Sequence, residues 1–176
     1  MLIKVLELRE LYPKFDDIGD KLLARKLASV ETSIRKHTNC KFQNRLIRTT
    51  TNIVDGKINW NTPFLKVDDT IEISDGVNKG LYTVKTVGET IETNEPLYDY
   101  PKQLITKIEY PMDVIEGAID LLDWELLKKG KEKTGIASET ISRHAVSYVQ
   151  RTSDNTIDGY PSELFDFCEK YMNMRT

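Results

Sequence analysis

Helical spacing stops near Phe42 and returns at Pro111. Between them the chain is rich in Thr, Ile and Val and is broken at short intervals by Gly, Asp and Asn. Apolar residues on one face of a helix recur every three or four positions, and those on one face of a strand every second one. A chain that switches period twice cannot be one continuous helical array or one continuous sheet. The pattern predicts an α+β protein. A small helical bundle of three to four helices takes residues 1–42 and 109–176, and a β-rich insert takes 43–108.

Within the insert, Arg45 to Val54 reads as a strand. Asp55-Gly56 reads as a two-residue hairpin turn, because both positions of such a turn need positive φ. Lys57 to Asn61 is the return strand, with Trp60 as a core anchor. Further strands are expected at Asp69–Asp75, Leu81–Val87, Thr90–Thr93 and Leu104–Tyr110, with turns at Gly76 to Gly80 and at Gly88-Glu89. Short strands at this spacing predict a small barrel or sandwich.

Leu8, Leu11 and Tyr12 keep helical spacing until Pro13 ends the element. Asp20 is placed to N-cap a helix running to about His37. Leu22, Leu23, Leu27, Val30 and Ile34 draw its apolar stripe. Pro111 opens a second long helix, to Lys129, with Met112, Ile115, Ile119, Leu122 and Leu126 on its stripe. Asp113 and Glu116 in its first turn and Lys128 and Lys129 in its last suit the helix dipole. Gly130 is expected to end it.

From Gly135 to Tyr148 the spacing becomes alternating. A continuous strand would put Ile141, Arg143, Ala145, Ser147 and Val149 on one face and Ser142, His144, Val146, Tyr148 and Gln150 on the other. Neither face is uniformly apolar. Such a ribbon has an edge that must be covered, so it either pairs with another strand or meets another subunit. Asp154-Asn155 and Asp158-Gly159 mark turns before a short apolar helix, Pro161 to Met174. That helix either docks back on the bundle or docks on a partner.

Residues able to do chemistry are few. His37 and Cys40 lie three apart across a helix end with no third group to orient them. His144 has no companion at metal-ligand spacing. Asp16-Asp17 and Asp68-Asp69 fall in expected turns, where acids shape the backbone. The nine glycines are scattered, so no phosphate-cradling loop is present. Nothing here points to an enzyme, a metal or a cofactor. At 39% hydrophobic and 30% charged the chain can build a core and is not disordered by composition. The two cysteines form no CxxC pattern and are expected as reduced thiols. The N-terminus is charged where a signal peptide needs an apolar run, and no apolar run is long enough to span a membrane. The expectation is a soluble chain made in the cytoplasm.

Ser138-Glu139-x-Ile141, the alternation Val146-x-Tyr148 and the ending Tyr171-x-x-x-Arg175 resemble the C-terminal half of phage head–tail connector proteins. Leu8-Arg9-x-Leu11-Tyr12-Pro13 and Glu31-x-x-Ile34-Arg35-x-x-Thr38-Asn39-x-x-Phe42 resemble the N-terminal half. Ser142 stands where that family usually has glycine, and residues 43–108 lie outside its minimal helical form. Asp69-x-Ile71-x-Ile73 followed by Gly80-x-Tyr82-x-Val84 is similar to small β-barrel modules of phage structural proteins.

The resemblance implies a structural virion protein, an adaptor or head-completion protein of a phage or prophage. It would form a ring, usually of twelve copies, beneath the portal protein. The ring would extend the DNA channel and dock the next neck or tail-completion protein. Assembly would occur in the bacterial host cytoplasm. The insert, which the family's minimal form lacks, is assigned to the outside of the ring as a tail or decoration contact. Packaged DNA would pass without specific binding, and the net charge of −3 suits a bore that must not hold phosphates. Ser138, Glu139, Arg143, His144 and Tyr148 would contact a neighbouring subunit or line the channel. Phe165, Phe167, Tyr171, Met172, Met174 and Arg175 would dock on the portal. Two other readings compete. One is a different neck component, such as a stopper or tail-completion protein. The other is a nucleic-acid module stacking bases on Trp60, Tyr82, Tyr98 and Tyr100, with Lys57, Lys66, Lys79 and Lys85 on the backbone.

Overall fold

A computed structural model describes residues 2–128, 138–141, 144–147 and 156–173. The chain divides into two compact units. One is Lys41–Tyr110, and the other joins Leu2–Cys40 to Pro111–Thr176.

The first unit is a closed, antiparallel six-stranded barrel in the order β1-β2-β5-β4-β3-β6. The strands are β1 (Gln43–Val54), β2 (Lys57–Ile58), β3 (Thr70–Ile73), β4 (Gly80–Val87), β5 (Ile91–Thr93) and β6 (Tyr100–Ile108). Of the two alternatives, barrel or sandwich, the chain forms the barrel, and closure leaves no unpaired sheet edge. Asp55 and Gly56 both have positive φ, as the two-residue hairpin between β1 and β2 requires. The interior holds Ile53, Ile58, Ile71, Ile73, Val84, Ile91 and Ile105, with Trp60 and Tyr82 packed partly buried against it.

Two features of this unit depart from simple alternation. β6 begins four residues earlier than its period suggests and includes Pro101. The β1–β6 register slips between Thr51 and Ile53, and Lys102 there has φ of 52° and donates its N–H to Asn52 Oδ1 at 3.0 Å. Proline is tolerated in a sheet at such a bulge because no ladder bond needs its missing N–H. In β3 every residue is buried, Glu72 included. Its carboxylate accepts from Lys41 Nζ at 2.8 Å and from Gln43 Nε2 at 3.2 Å, which compensates its desolvation.

The second unit holds α1 (Val5–Leu11), a 3-10 turn (Pro13–Phe15), α2 (Asp20–Thr38) and α3 (Met112–Asp123). A π-helical turn, Trp124–Lys128, continues α3. Leu8, Phe15, Leu23, Leu27, Ile119 and Leu122 form one buried cluster. α2 buries Leu23, Leu27, Val30 and Ile34 from the expected stripe, while Leu22 is exposed. Asp20 does not cap α2 with its side chain; the helix starts at Asp20 and its N-cap is Gly19. The reason is Arg9. Its guanidinium donates to Asp20 Oδ1 at 2.6 Å, to the Asp16 carbonyl at 2.5 Å and to the Ile18 carbonyl. One side chain therefore closes the whole α1–α2 connection. Arg9→Ala is expected to cost about 1–2 kcal/mol, because several acceptors lose a charged donor at once. Arg9→Lys should recover little, since an ammonium lacks the planar fork. Urea unfolding of the two variants checks both statements.

β7 (Ser138–Ile141) and β8 (His144–Ser147) form an antiparallel pair, and β9 (Thr156–Ile157) pairs with β10 (Tyr160–Pro161). Asp158 and Gly159, between β9 and β10, both have positive φ, again a two-residue hairpin. Residues Ser162–Tyr171 form a 3-10 helix rather than an α-helix. Among the described residues, no helix is long and apolar enough to cross a membrane.

Candidate interaction surface

The C-terminal segment docks on its own unit. Phe165 and Cys168 are fully buried, so Phe165 is taken up inside the fold rather than offered to a partner. Its ring meets His37 edge-on at 5.0 Å and Tyr160 at 6.0 Å. Phe167 lies over Gly117 in the middle of α3, where a Cβ would sit 2.3 Å from the ring carbons. The Asn173 N–H donates to the Thr38 carbonyl at 2.8 Å, satisfying an acceptor at the C-terminal end of α2. Burial pushes the Cys168 thiol up to about 12, so it is an inert core residue.

A helix-interior glycine normally costs about 1 kcal/mol against alanine. Gly117 is the exception that the Phe167 ring demands. Gly117→Ala is therefore expected to destabilise by about 1–2 kcal/mol, since the displaced ring outweighs the gain in helix propensity. Limited proteolysis should cut the segment 162–173 faster in this variant than in the parent chain.

Asp113, in the first turn of α3, holds the same segment electrostatically. It accepts from Lys170 Nζ at 2.5 Å and from Tyr171 Oη at 2.8 Å. The hydrogen bond from Lys170, then that from Tyr171, hold its carboxyl below the usual range. A carboxyl depressed on folding stabilises above its unfolded pKa of about 4, and that contribution is lost as pH falls through the lower folded value. Both partners are partly solvated, so the effect is modest. Below about pH 4 the melting temperature of the parent chain should fall more steeply than that of Asp113→Asn.

Met112 and Met172 flank this bond and remain 70% and 53% exposed. Met172 belongs to the expected docking set. Met112, expected on the apolar stripe of α3, is exposed instead. Exposed methionines are adaptable apolar groups of the kind that partner-binding surfaces use. Of the remaining docking residues, Phe167 and Tyr171 are half-buried, and Met174 and Arg175 lie outside the described residues.

The alternating stretch resolves into a hairpin, not one long strand. The register pairs Ser138 with Ser147, Glu139 with Val146, Thr140 with Ala145 and Ile141 with His144. β7 and β8 run antiparallel, so the single continuous strand through this stretch is corrected. The ribbon covers one edge by pairing with itself. Arg143 and Tyr148 lie outside the described residues.

The aromatic residues considered for base stacking separate. Trp60 and Tyr82 lie against the barrel interior, whereas Tyr98 and Tyr100 are exposed. Lys57 is paired with Glu92 at 2.7 Å. His37 serves as an aromatic neighbour of Phe165, and the Cys40 N–H donates to Thr38 Oγ1 at 3.2 Å. Asp69 pairs with Lys107 at 3.0 Å and accepts the Lys66 N–H, shaping the turn into β3. Among the described residues, no group of three or more His, Cys, Asp or Glu side chains is placed to hold a metal ion.

Comparison of the chain with protein-family models, with curated proteins and with solved structures finds no match.

Proposed function

We propose that the chain is a head–tail connector, an adaptor or head-completion protein, of a phage or prophage. Copies assemble into a ring, usually of twelve, beneath the portal protein. The ring extends the DNA channel and presents a surface to the next neck or tail-completion protein. The helical unit is the connector bundle, and the barrel is an insertion between its two long helices. The protein acts by shape and contact in the virion neck, without catalysis and without a cofactor. DNA passes through without specific binding.

What supports this reading most is the work done by the residues that carry the resemblance. Leu8 is core, Arg9 closes the α1–α2 connection, and Tyr12 Oη donates to Glu116 on α3 at 2.6 Å. Ile34 and Thr38 are buried in α2, and Asn39 ends it in the left-handed region. Tyr171 ties the last segment to Asp113. Residues from both ends of the chain thus meet in one unit, although 43–108 separate them in sequence.

On this reading the Met112–Met172 surface contacts the portal, and the β7–β8 hairpin reaches a neighbouring subunit or the channel. A deletion from Phe165 onward is not a clean test, because it removes core side chains along with surface. Size exclusion with light scattering is, on the chain alone and mixed with the portal protein of the same phage. The expected result is a chain near 20.3 kDa that joins the portal as a ring, or a ring formed without it. Absence of both, under all conditions tried, overturns the proposal.

A further inference from the structure

We infer that the barrel makes a head-to-tail contact with a second copy of this chain. Leu46 of one copy, between Arg45 and Arg48, seats on the exposed Val77, Tyr98 and Tyr100 of the next. The inference stands on the barrel alone and does not depend on portal binding.

The knob is built. Along the β1–β6 ladder the register runs from Asn44 opposite Lys107 directly to Arg48 opposite Thr106. Three residues, 45 to 47, are therefore extra on β1. A bulge of this kind re-aims side chains out of the sheet. At its centre Leu46 is 95% exposed. The bulge is held at its base, because Asn44 Oδ1 accepts the Leu46 N–H at 3.0 Å while Asn44 Nδ2 donates to Glu109 at 2.6 Å. One exposed leucine is ordinary on a protein surface. A leucine raised on a braced bulge, with an exposed arginine on either side, is a different object. Among the described residues neither arginine makes an ion pair. Lys41 and Lys107 nearby are already matched with Glu72 and Asp69.

The receiving surface lies at the other end of the same ladder. Tyr100 pairs with Ile53, six positions along β6 from Thr106. At the strand rise that is about 20 Å from the knob. Tyr98 and Tyr100, two apart, project beside Val77, and Tyr98 is 71% exposed. This surface is rigid as well. Buried Asn78 holds Tyr98 at both backbone groups, accepting its N–H at 2.8 Å and donating to its carbonyl at 2.7 Å. A Cβ on Gly76 would lie 3.2 Å from the Tyr100 ring, so the turn and the tyrosine are in close register. Asp75 and Asp99 are exposed beside it, and Asp55 adds a third carboxylate against Lys79 and Lys102.

The two ends are thus complementary in both respects that matter. One offers an apolar knob beside Arg45 and Arg48, offset in part by Glu109 at its base, and the other an aromatic seat whose three carboxylates outnumber its two lysines by one. They lie at opposite ends of one rigid unit, so the contact is heterologous and propagates from copy to copy. A patch this small gives weak pairwise binding, with a dissociation constant on the order of 100 µM. Repetition in a closed assembly multiplies it.

Sedimentation velocity on the full chain, over a concentration series at low and high salt, is the test. The expected result is association that strengthens with concentration and weakens with salt. Leu46→Asp should weaken it at least tenfold, as should the double variant Arg45→Glu/Arg48→Glu and, separately, Asp75→Lys. An equimolar mixture of the double variant with Asp75→Lys should recover association that neither shows alone. All four positions are exposed, and unchanged far-ultraviolet dichroism confirms that each variant is folded. A parent chain that stays monomeric throughout, a Leu46→Asp chain that associates as the parent does, or a mixture that fails to recover would each overturn the inference. So would a monomeric chain whose Leu46→Asp variant loses portal binding, which would assign the knob to the portal instead. Loss of the self-contact with portal binding intact leaves the proposed function standing.

Discussion

Replacing Phe165 with alanine is expected to destabilise the helical unit by about 3–5 kcal/mol. The ring is 1% exposed and sits among His37, Tyr160 and Phe167. Its removal leaves a cavity that the neighbours cannot fill without moving, because α3 is already in contact with Phe167 at Gly117. The transfer term and the cavity term therefore add. Met172→Ala, in the same segment but exposed, should change stability by less than about 0.5 kcal/mol. The comparison separates structure from docking. On the proposed function, Met172→Ala together with Met112→Ala weakens portal association while the fold holds, whereas Phe165→Ala loses both. Denaturant titration with portal co-elution measures the two quantities. A cost below about 1 kcal/mol for Phe165→Ala would mean that the segment is not docked in solution.

Ile105→Ala is expected to cost the barrel about 2–5 kcal/mol, and Ile105→Val about 0.5–1.5 kcal/mol. Ile105 is fully buried on β6 and stands opposite Thr49 of β1 on one side and Ile73 of β3 on the other. A closed barrel of this size is filled by its own side chains, so no adjacent layer can collapse into the gap. The chain has two tryptophans, Trp60 against the barrel core and Trp124 in the helical unit. In a Trp124→Phe background, the fluorescence of Trp60 follows the barrel by itself. The midpoint of that signal in urea should fall for Ile105→Ala and only slightly for Ile105→Val. Equal, small shifts for both would show that the barrel interior is looser than its burial indicates.

Much of this architecture is legible in the residues. The strands of the barrel follow from alternation, and both Asp-Gly hairpins from the need for positive φ at two successive positions. The body of α2 follows from Leu23, Leu27, Val30 and Ile34 at gaps of three and four. Three things are not legible, each for a physical reason. The Asp20 side chain has two possible uses, capping α2 or receiving Arg9, and only the fold brings Arg9 within reach. Met112 fits the stripe of α3 by spacing, but whether a stripe position is covered is decided by the tertiary packing. The ribbon 138–147 has the period of a strand throughout, and periodicity cannot reveal where a chain reverses.

The sequence by itself determined the elements that rest on local chemistry: the period of each segment, the turn residues and the α+β class. Closure of the sheet into a barrel, the seating of Phe167 on Gly117 and the tie from Asp113 to Lys170 and Tyr171 were decided only in the tertiary structure. Each of these depends on residues distant in the chain coming within a few ångströms. Local propensity carries no information about such a meeting, because its energy is released only when the partner is there.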